Sequence, residues 1–418
     1  MVPKGWTLGT LKDLADTIMG YAFRSEDFVP TGIPLLRMGN LYQNTLDLNR
    51  NPVYLPDSFK VDYKRFLVSP GDLVMSMTGT MGKRDYGFTV EIPSNTQCSL
   101  LNQRVLKIVP KNNASSGYIL NLLRSELILS VLYSFPGGTK QANLSAKQLQ
   151  ELPVLIPPEL EQKKIAQILS TWDKAISVTE KLLTNSQQQK KALMQQLLTG
   201  KKRLLDENGV RFSGEWEKGK FCDMANIDTG YAFKSKDFTQ SDSGIPIIRM
   251  SDFKTGGLDV LGAAKVDRDS VNGLDKFKLR VGDFVFGMSG SLNNYGRVEK
   301  KDLPCYLNQR VGRILAKECA NQAFITYLYL SDSIQQSILD KAAGAAQLNI
   351  SISDLRSMVV YYPCIEEQQK IAAVLSAADA EISTLEKKLA CLRDEKKALM
   401  QQLLTGKRRV KVDEAVAE

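Results

Sequence analysis

The sequence contains no histidine at all. This absence excludes histidine general bases, serine–histidine and cysteine–histidine nucleophile pairs, and most zinc sites, because all of these need an imidazole. Six cysteines are present without a CxxC pair, which indicates free thiols in a reducing compartment. No apolar run approaches the length of a membrane-spanning helix, and the first residues lack the pattern of a signal peptide. We therefore expect a cytoplasmic protein without a metal site, in which binding is favoured over catalysis.

Positive charge is in excess, with 55 lysines and arginines against 46 aspartates and glutamates, and a net charge of +9. Two stretches hold the whole excess. Residues 161–203 carry nine basic and three acidic residues, and residues 367–409 carry nine and six. A basic excess suits a polyanionic partner such as DNA, although a solvated helix face explains the charge equally well.

The dodecapeptide KKALMQQLLTGK occurs twice, at residues 190–201 and 396–407, which are 206 positions apart. The similarity extends upstream, since LNQRV occurs at residues 101–105 and again at residues 307–311, at the same offset. The chain therefore contains one unit of about two hundred residues twice, and any account of its architecture has to start from this internal repeat.

Each repeat ends in a predicted long helix. Seam positions alternate at steps of four and three from residue 165 to 197 and from residue 371 to 403, a pattern typical of a coiled coil. Prolines precede both segments, and Gly200 and Gly406 follow them as stop signals. We predict two helices of roughly 40 residues that pair as an antiparallel coiled coil with pseudo-twofold symmetry. The alternative is two amphipathic helices that pack only on their own domains.

The segment before each helix mixes β and α signals. Residues 65–77 and 278–288 predict strand–turn–strand units around a Gly-Asp pair, and both LNQRV segments predict further strands. Residues 116–135 and 321–339 are typical of amphipathic helices. The predicted fold class is α/β plus long α, with two similar globular α/β domains. The predicted boundaries are 1–158 and 202–364 for the globular domains, 159–201 and 365–407 for the central and distal long helices, and 408–418 for a basic then acidic tail.

A polar turn follows the Gly-Asp strand in both repeats, where VMSMTGTMGKR at residues 74–84 aligns with VFGMSGSLNNYGR at residues 285–297. Such side chains donate hydrogen bonds to phosphates and base edges, and glycine permits close approach of the backbone. We favour a DNA-facing role over an ordinary hairpin tip, and we interpret Arg104 and Arg310 as framework residues. The candidate DNA-binding residues are Ser76, Thr78, Thr80, Lys83, Arg84, Lys140, Ser289, Ser291, Asn293, Asn294 and Arg297.

No catalytic constellation recurs in the two repeats. TGTMGKR at residues 78–84 departs from a phosphate-binding loop, because Met77 and Arg84 stand where glycine and Ser or Thr are required. No glycine-rich strand-to-helix turn for a methyl-donor cofactor is present either. We therefore predict that the chain is not an enzyme and holds no cofactor of its own.

Two variable α/β domains, each followed by a near-identical long helix that ends in LLTGK, resemble the specificity (S) subunit of Type I restriction–modification systems. The resemblance covers essentially the whole chain. It implies that each globular domain recognises one half of a bipartite site in double-stranded DNA. The motifs that carry it are GYAF (residues 20–23 and 230–233), GIP-[LI]-[LI]-RM, the GD…M-[ST]-G-[TS] turns, LNQRV, EQxKIA and KKALMQQLLTGK.

The same resemblance implies partners. The helices would set the distance between half-sites and dock two methyltransferase (M) subunits, and two motor–nuclease (R) subunits would complete the complex. S-adenosylmethionine, ATP and magnesium are then expected in those partners. Because two identical M subunits need two equivalent surfaces, residues that contact them are expected to be alike in both repeats. The expected partner-binding residues are Lys190, Leu193, Gln195, Gln196, Lys396, Leu399, Gln401 and Gln402.

Two alternatives stay open. One is a coiled-coil adaptor without DNA recognition, and the other is a DNA methyltransferase with a divergent site in the α/β domains. The adaptor gives no reason for duplicated domains with polar turns. The stretches that differ most between the repeats are residues 40–66 against 251–277 and residues 83–97 against 293–304, which suits recognition of two different half-sites.

Overall fold

The computed structural model of the chain describes residues 2–80, 82–135, 141–254, 257–289, 294–342 and 349–412. The chain forms two compact units, one made of Met1–Lys181 with Lys387–Glu418 and the other of Leu182–Glu386. We call them the first and the second unit. Each unit contains one globular domain and a part of both long helices, so the units do not follow the linear order of the predicted domains.

The first unit has an antiparallel four-stranded sheet in the order Thr89–Glu91, Leu73–Ser76, Val105–Pro110 and Ala15–Met19. All four residues of the strand Leu73–Ser76 are buried, which explains its continuous apolar run, since a strand covered on both faces need not alternate. Alternate side chains still point to opposite faces and enter two different hydrophobic cores.

A second, mixed sheet of the first unit runs in the order Tyr54–Leu55, Ile33–Leu36, Ser99–Leu101 and Leu67–Val68, with its two middle strands parallel. Both predicted strand–turn–strand segments contain strands at their second half, so this part of the sequence-based interpretation is confirmed. The remaining strands of the first unit are Thr7–Thr10, Leu41–Tyr42, Thr45–Leu46, Thr78–Thr80, Gln141–Asn143 and Pro153–Ile156, and its short helices are Leu11–Leu14, Phe59–Asp62, Ser116–Arg124, Glu126–Ser134 and Ala146–Gln150.

The second unit repeats this plan with an antiparallel sheet in the order Ala225–Thr229, Val311–Ala316, Phe284–Gly287 and Tyr295–Arg297. Its other strands are Glu217–Lys220, Phe238–Thr239, Ile245–Ile248, Phe253–Lys254, Gly257–Leu258, Lys265–Val266, Tyr306–Leu307 and Val359–Tyr362, and its short helices are Phe221–Met224, Gln322–Tyr329, Asp332–Ala342 and Ile352–Arg356.

The two amphipathic segments predicted as single helices are each broken into two. Ser125 adopts an extended conformation (φ −77°, ψ 150°) between Ser116–Arg124 and Glu126–Ser134, and its hydroxyl donates to the Leu122 carbonyl at 2.6 Å. Ser331 makes the equivalent 2.6 Å hydrogen bond in the second unit. A hydroxyl that satisfies a carbonyl of the last helical turn competes with continuation of the helix, so the hydrophobic periodicity alone missed the break.

The central long helix spans Glu159–Leu197 and the distal long helix spans Ile365–Leu404, which confirms both predicted helices. Gly200 and Gly406 adopt φ values of +69° and +67° after the last turns. The amide two residues beyond each glycine donates to a carbonyl of the last turn at 3.1 Å, the pattern of a helix closed by a left-handed residue. No helix in the described part of the chain is long and apolar enough to span a membrane.

Within each unit, segments of the two long helices pair in antiparallel fashion. In the first unit Lys396 Nζ lies 2.5 Å from Asp173 Oδ1, and Arg393 Nη2 lies 2.7 Å from Glu180 Oε1. Residue numbers therefore fall along the distal helix as they rise along the central helix, which is antiparallel pairing. Lys190 repeats the contact in the second unit, 2.5 Å from Oδ1 of its partner carboxylate. The predicted antiparallel pairing is therefore confirmed inside each unit, and the ends of both helices also pack into the domain cores.

Candidate nucleic-acid interface

Two of the polar residues predicted at the first turn are buried. Ser76 is 1% exposed, and its Oγ accepts a hydrogen bond from the Phe88 amide at 3.1 Å. Thr78 is 7% exposed, and its hydroxyl donates to Met38 Sδ at 2.7 Å. These side chains fasten the strand to its own domain, and we correct the prediction by removing both from the candidate DNA-binding residues.

The tip of the same turn is exposed. The Thr80 amide donates to Asp85 Oδ1 at 2.7 Å, which closes the turn on itself. Burial acts to raise the pKa of Asp85, but the hydrogen bonds from Thr80 and from the Asp85 backbone, together with the Lys83 charge, hold this pKa below its ordinary value. Lys83 is exposed at the tip. Arg84 is also exposed, but it is held by Glu126 Oε2 at 3.0 Å and by the Tyr133 ring at 5.0 Å.

The second turn is placed only in part. Ser289 is half-buried and forms an isolated β-bridge with Asn349. Asn294 is half-buried, and its carbonyl accepts from the Gly287 amide at 2.7 Å, while Arg297 is exposed at the end of its strand. The other three candidates, Lys140, Ser291 and Asn293, lie outside the described residues.

Beside the first turn lies a polar cleft of about 530 Å³ that sequence reasoning did not find. Arg37, Arg50, Arg104 and Gln103 line it, and the Arg50 guanidinium lies 5.1 Å from the centre of the Tyr42 ring. Arginine forks and amide side chains form bidentate hydrogen bonds with base edges and phosphates, and aromatic rings stack. We call this surface the recognition cleft.

Arg104 requires a correction, because it was interpreted as a framework residue and instead has an exposed side chain on the recognition cleft. Only its backbone acts as framework, since its carbonyl accepts from the Met77 amide at 3.0 Å. Arg310 repeats this arrangement, with an exposed side chain and a carbonyl that accepts from the Met288 amide at 3.2 Å. Each LNQRV segment therefore presents one exposed arginine at the equivalent position of its unit.

The loop that forms the outer wall of the recognition cleft is held by hydrogen bonds from two side chains to its backbone carbonyls. The Asn40 amide group donates to the Asp47 carbonyl at 2.9 Å and to the Arg50 carbonyl at 3.0 Å, and Arg37 donates to the Asn51 carbonyl. Because these donors follow directly on the buried strand Ile33–Leu36, the loop is shaped before any ligand arrives. The loop falls in the stretch 40–66, whose divergence between repeats was the available sequence signal.

From the other side, Arg124 on a short helix fastens the same loop. Its Nη2 donates to the Asn44 carbonyl at 3.1 Å, and its Nε donates to the Thr89 carbonyl at 2.8 Å. Asn44 has a φ of +61°, so its strained conformation depends on such fixed partners. Burial lowers the pKa of Arg124, partly offset by Asp173.

The corresponding loop of the second unit keeps the hydrogen bond that anchors its first residues, but it presents different side chains. Asp252 takes the place of Asn40 and accepts from the Arg249 amide at 2.9 Å, as Asn40 does from Arg37. A lysine–aspartate pair, Lys254 to Asp259 at 2.7 Å, then crosses the loop. The hydrogen bond with Lys254 is the main cause that lowers the pKa of Asp259. The two loops thus share a frame and differ in the groups that they present.

The expected partner-binding residues divide into two groups. Lys190 and Lys396 are half-buried in ion pairs inside their units, and Leu193 and Leu399 pack against the domain cores. The four glutamines are exposed, and they are Gln195, Gln196, Gln401 and Gln402. Only the glutamines present their side chains outward, although Gln195 also donates to a carboxylate of the second unit at 2.9 Å.

No group of three or more Cys, Asp or Glu side chains in the described ranges is arranged to hold a metal ion. What the described surfaces offer is a set of hydrogen-bond donors and cations around a preformed loop, and this suits recognition of a polyanion by shape and by hydrogen bonding.

Comparison with known proteins gives one consistent result. The model of the Type I restriction modification DNA specificity domain matches residues 3–185 and again residues 213–392. The MjaVIII specificity subunit of a Type I restriction enzyme from Methanocaldococcus jannaschii is 26% identical, over 84% of this chain and 82% of its own. The EcoKI specificity subunit from Escherichia coli is 24% identical, over 93% of this chain and 85% of its own.

Solved structures show the same fold. The S subunit of a Type I restriction–modification system from M. genitalium superposes with a TM-score of 0.60 at 14% identity, over 96% of both chains. A chain from a study of assembly and conformational transition of the Type I system gives 0.58 at 15% identity, over 98% of this chain and all of that chain. With its domain model matched twice along the chain, this protein belongs to the family of Type I restriction–modification DNA specificity subunits.

Proposed function

We propose that this chain directs a Type I restriction–modification complex to a bipartite DNA site, with each globular domain recognising one half-site. The observation that carries the proposal is the pair of loops anchored alike by Asn40 and Asp252 but presenting different side chains. A common frame with different contact groups is what two different half-sites require. Specificity subunits catalyse no reaction themselves, so methylation and cleavage belong to other subunits.

The partners follow from that role. Two M subunits that use S-adenosylmethionine would dock on the paired long helices, and two R subunits with ATP and magnesium would complete the complex in the cytoplasm. The long helices would set the unrecognised spacer between the half-sites. Inserting four residues after Leu183 adds about 6 Å of helix and roughly preserves the seam. We expect the variant to keep both half-site sequences and to lengthen the spacer by about one or two base pairs.

The recognition cleft and the exposed tip of the first turn supply the DNA contacts on the first unit. Arg50 and Arg104 present cations on the cleft, which Tyr42, 49% exposed, also lines, and Lys83 is exposed at the tip of the turn. On the second unit, Arg297 and Arg310 are the exposed arginines at the equivalent turn and LNQRV segment. Arginine bound to a base edge confers specificity, whereas a cation on phosphate adds affinity without specificity.

The test compares variants of the two units in the complex with the M subunit. Lys83→Ala, Arg50→Ala and Arg104→Ala should alter the first half-site alone, and Arg297→Ala and Arg310→Ala the second alone. A lost base contact costs about 1–3 kcal/mol and relaxes one position, while a lost phosphate contact weakens all sequences alike and reduces the salt dependence. Methylome sequencing of a host that carries each variant reports the changed half-site.

Lys147→Ala is a suitable control, because Lys147 is exposed on the short helix Ala146–Gln150, away from the cleft lining. If variants of one unit changed both half-sites together, the assignment of one half-site to each domain would be wrong. If the complex bound all DNA sequences equally, the adaptor alternative would replace the proposal. Methyl-donor binding by the isolated chain, measured by calorimetry, would favour the methyltransferase alternative.

A further inference from the structure

One segment at the surface is almost the same in both units, and the fold explains only part of this identity. It comprises residues 20–25 in the first unit (GYAFRS) and residues 230–235 in the second (GYAFKS), and we call it the shared edge. Phe23 and Phe233 are 9% exposed and pack into hydrophobic clusters of their own domains. A Cβ at Gly20 or Gly230 would collide with a backbone carbonyl of the LNQRV segment, so glycine is required at both positions.

The last two side chains of the shared edge are not constrained in this way. Arg24 and Ser25 are exposed in the first unit, and Lys234 and Ser235 are exposed in the second. Among the described residues, neither the Arg24 guanidinium nor the Lys234 ammonium forms an ion pair with a carboxylate. Each unit therefore presents a cation and a hydroxyl to solvent at equivalent positions.

The position directly after the shared edge differs between the repeats. Glu26 is exposed and corresponds to Lys236, which is also exposed, so the charge is reversed one residue beyond the shared serine. Exposure alone therefore does not preserve a side chain in this chain. A cation and a hydroxyl kept at the same exposed place in both units indicate contact with a ligand that occurs twice.

The shared edge adjoins the recognition cleft. The Tyr21 amide donates to the Leu101 carbonyl at 2.9 Å, and Tyr21 forms a parallel β-bridge with Asn102, which lines the cleft. Tyr231 makes the same two contacts with the second LNQRV segment. Each shared edge is thus fixed beside the segment that presents the exposed arginine of its unit.

Two different half-sites differ in their bases but have the same sugar–phosphate backbone. Side chains that contact bases can therefore differ between the units, whereas side chains that contact phosphates meet the same ligand in both. Cations and hydroxyls are usual donors to phosphate oxygens, and such contacts fix the position of a protein on the duplex. We propose that the shared edge of each unit binds the phosphate backbone beside its half-site and positions the recognition surface on the DNA, an inference that rests on the proposed function.

The salt dependence of DNA binding tests the proposal. The complex with the M subunit is titrated with DNA that contains the bipartite site and with DNA that lacks it, over a range of salt concentrations. Arg24→Ala and Lys234→Ala should each weaken binding of both DNAs by the same factor, about threefold, and reduce the salt slope by about one. Arg24→Lys should behave as wild type, because a lysine serves at the equivalent place of the second unit. The exposed Lys147 on its separate helix is again the control, and Lys147→Ala should change neither quantity.

A charge reversal gives the opposite expectation, and loss of folding cannot imitate it. Glu26→Lys gives the first unit the cation that Lys236 supplies in the second. It should strengthen binding of both DNAs about threefold and increase the salt slope by about one. Methylome sequencing of hosts that carry these variants should show both half-site sequences unchanged.

Three results would overturn the proposal while the proposed function stands. A changed half-site sequence in Arg24→Ala or Lys234→Ala would mean that the shared edge contacts bases. An unchanged salt slope with fewer bound M subunits, counted by native mass spectrometry, would make it a protein-binding surface. An unchanged slope and an unchanged number of M subunits would mean that it contacts neither. If the wild-type complex bound DNA with and without the site equally well, the proposed function itself would fail.

Discussion

Replacing Arg203 by methionine should destabilise the second unit far more than the equivalent change destabilises the first. Arg203 lies just beyond the central long helix and forms two hydrogen bonds with Glu367, from Nε at 2.7 Å and from Nη2 at 2.6 Å. The Glu367 side chain is 0% exposed, and the Arg203 side chain is 19% exposed. The hydrogen bond to Glu367 raises the pKa of Arg203, so this guanidinium keeps its charge.

The expected loss in the free energy of unfolding depends on the environment of the carboxylate that remains after the arginine is removed. Arg203→Met strands a buried carboxylate, which costs about 3–5 kcal/mol in comparable cases. Because Arg203 retains some exposure and water reaches that side, we expect about 3 kcal/mol in the free energy of unfolding. A unit of this size loses about 2–4 °C of melting temperature for each kcal/mol, so the transition of the second unit should fall by about 6–12 °C.

The first unit supplies the matched comparison. Arg409 makes the equivalent pair with Glu161, and its Nε lies 3.0 Å from Oε2. Here a second donor is present, because Trp6 Nε1 donates to the same oxygen at 3.1 Å, whereas the corresponding Trp216 Nε1 has no partner among the described residues. After Arg409→Met the carboxylate keeps one hydrogen bond, so the loss of stability should be smaller.

Hydrogen exchange followed by mass spectrometry measures the stability of each unit separately in the same sample. Arg203→Met should accelerate exchange in residues 182–386, and the double variant Arg203→Met, Glu367→Met should recover most of the loss, because two apolar side chains replace the pair without stranding a charge. The reasoning would be refuted if Arg203→Met cost under about 1 kcal/mol, which is the range of surface pairs, or if Arg409→Met cost as much or more.

Three further variants have distinct expected outcomes. Arg124→Leu removes the hydrogen bonds to the Asn44 and Thr89 carbonyls, at about 1 kcal/mol for each, and methylation assays should show weaker recognition of the first half-site with the second unchanged. Gly406→Ala places a Cβ against the ring of Pro3 in a left-handed conformation, and it should lower the urea midpoint by the equivalent of about 1–2 kcal/mol. Burial and the hydrogen bond to Asp379 raise the pKa of Tyr327 to about 12. Because the ordinary value is about 10, this stabilisation is present below pH 10 and is lost as the pH rises toward 12, and Tyr327→Phe should flatten the decline in a pH series of urea unfolding.

The long helices could be predicted from the sequence because their signals are local and repeated. A seam with steps of four and three, a proline before it and a glycine after it fix the type and the ends of a helix without knowledge of what packs on it. The lysines at equivalent seam positions, Lys190 and Lys396, both form ion pairs with an aspartate.

The DNA-facing side chains could not be predicted with the same accuracy, because burial within a turn depends on distant segments. Ser76 ends one strand and Thr78 begins the next, and both are covered, one by the Phe88 segment and the other by Met38. Conversely, Arg50 is remote from the predicted turn in sequence and reaches the recognition cleft only through the anchored loop. The identity of Arg104 and Arg310 in the two repeats indicated a structural role. Sequence identity alone could not show that only the backbone carbonyl has this role, while the guanidinium is exposed on the cleft.

The composition of the first unit has a consequence for synthesis of the chain on the ribosome. Leu403 and Leu404, near the end of the distal helix, belong to the same hydrophobic core as Leu11 and Leu14. The domain that is translated first therefore lacks part of its core until about 220 further residues have been added, which takes roughly 11–45 s at about 5–20 residues per second. The second unit needs no such wait, because Leu197 and Leu198 precede its domain in the chain. The N-terminal domain should thus be the later of the two to resist protease on stalled ribosomes, and truncation near residue 400 should damage the opposite end of the sequence.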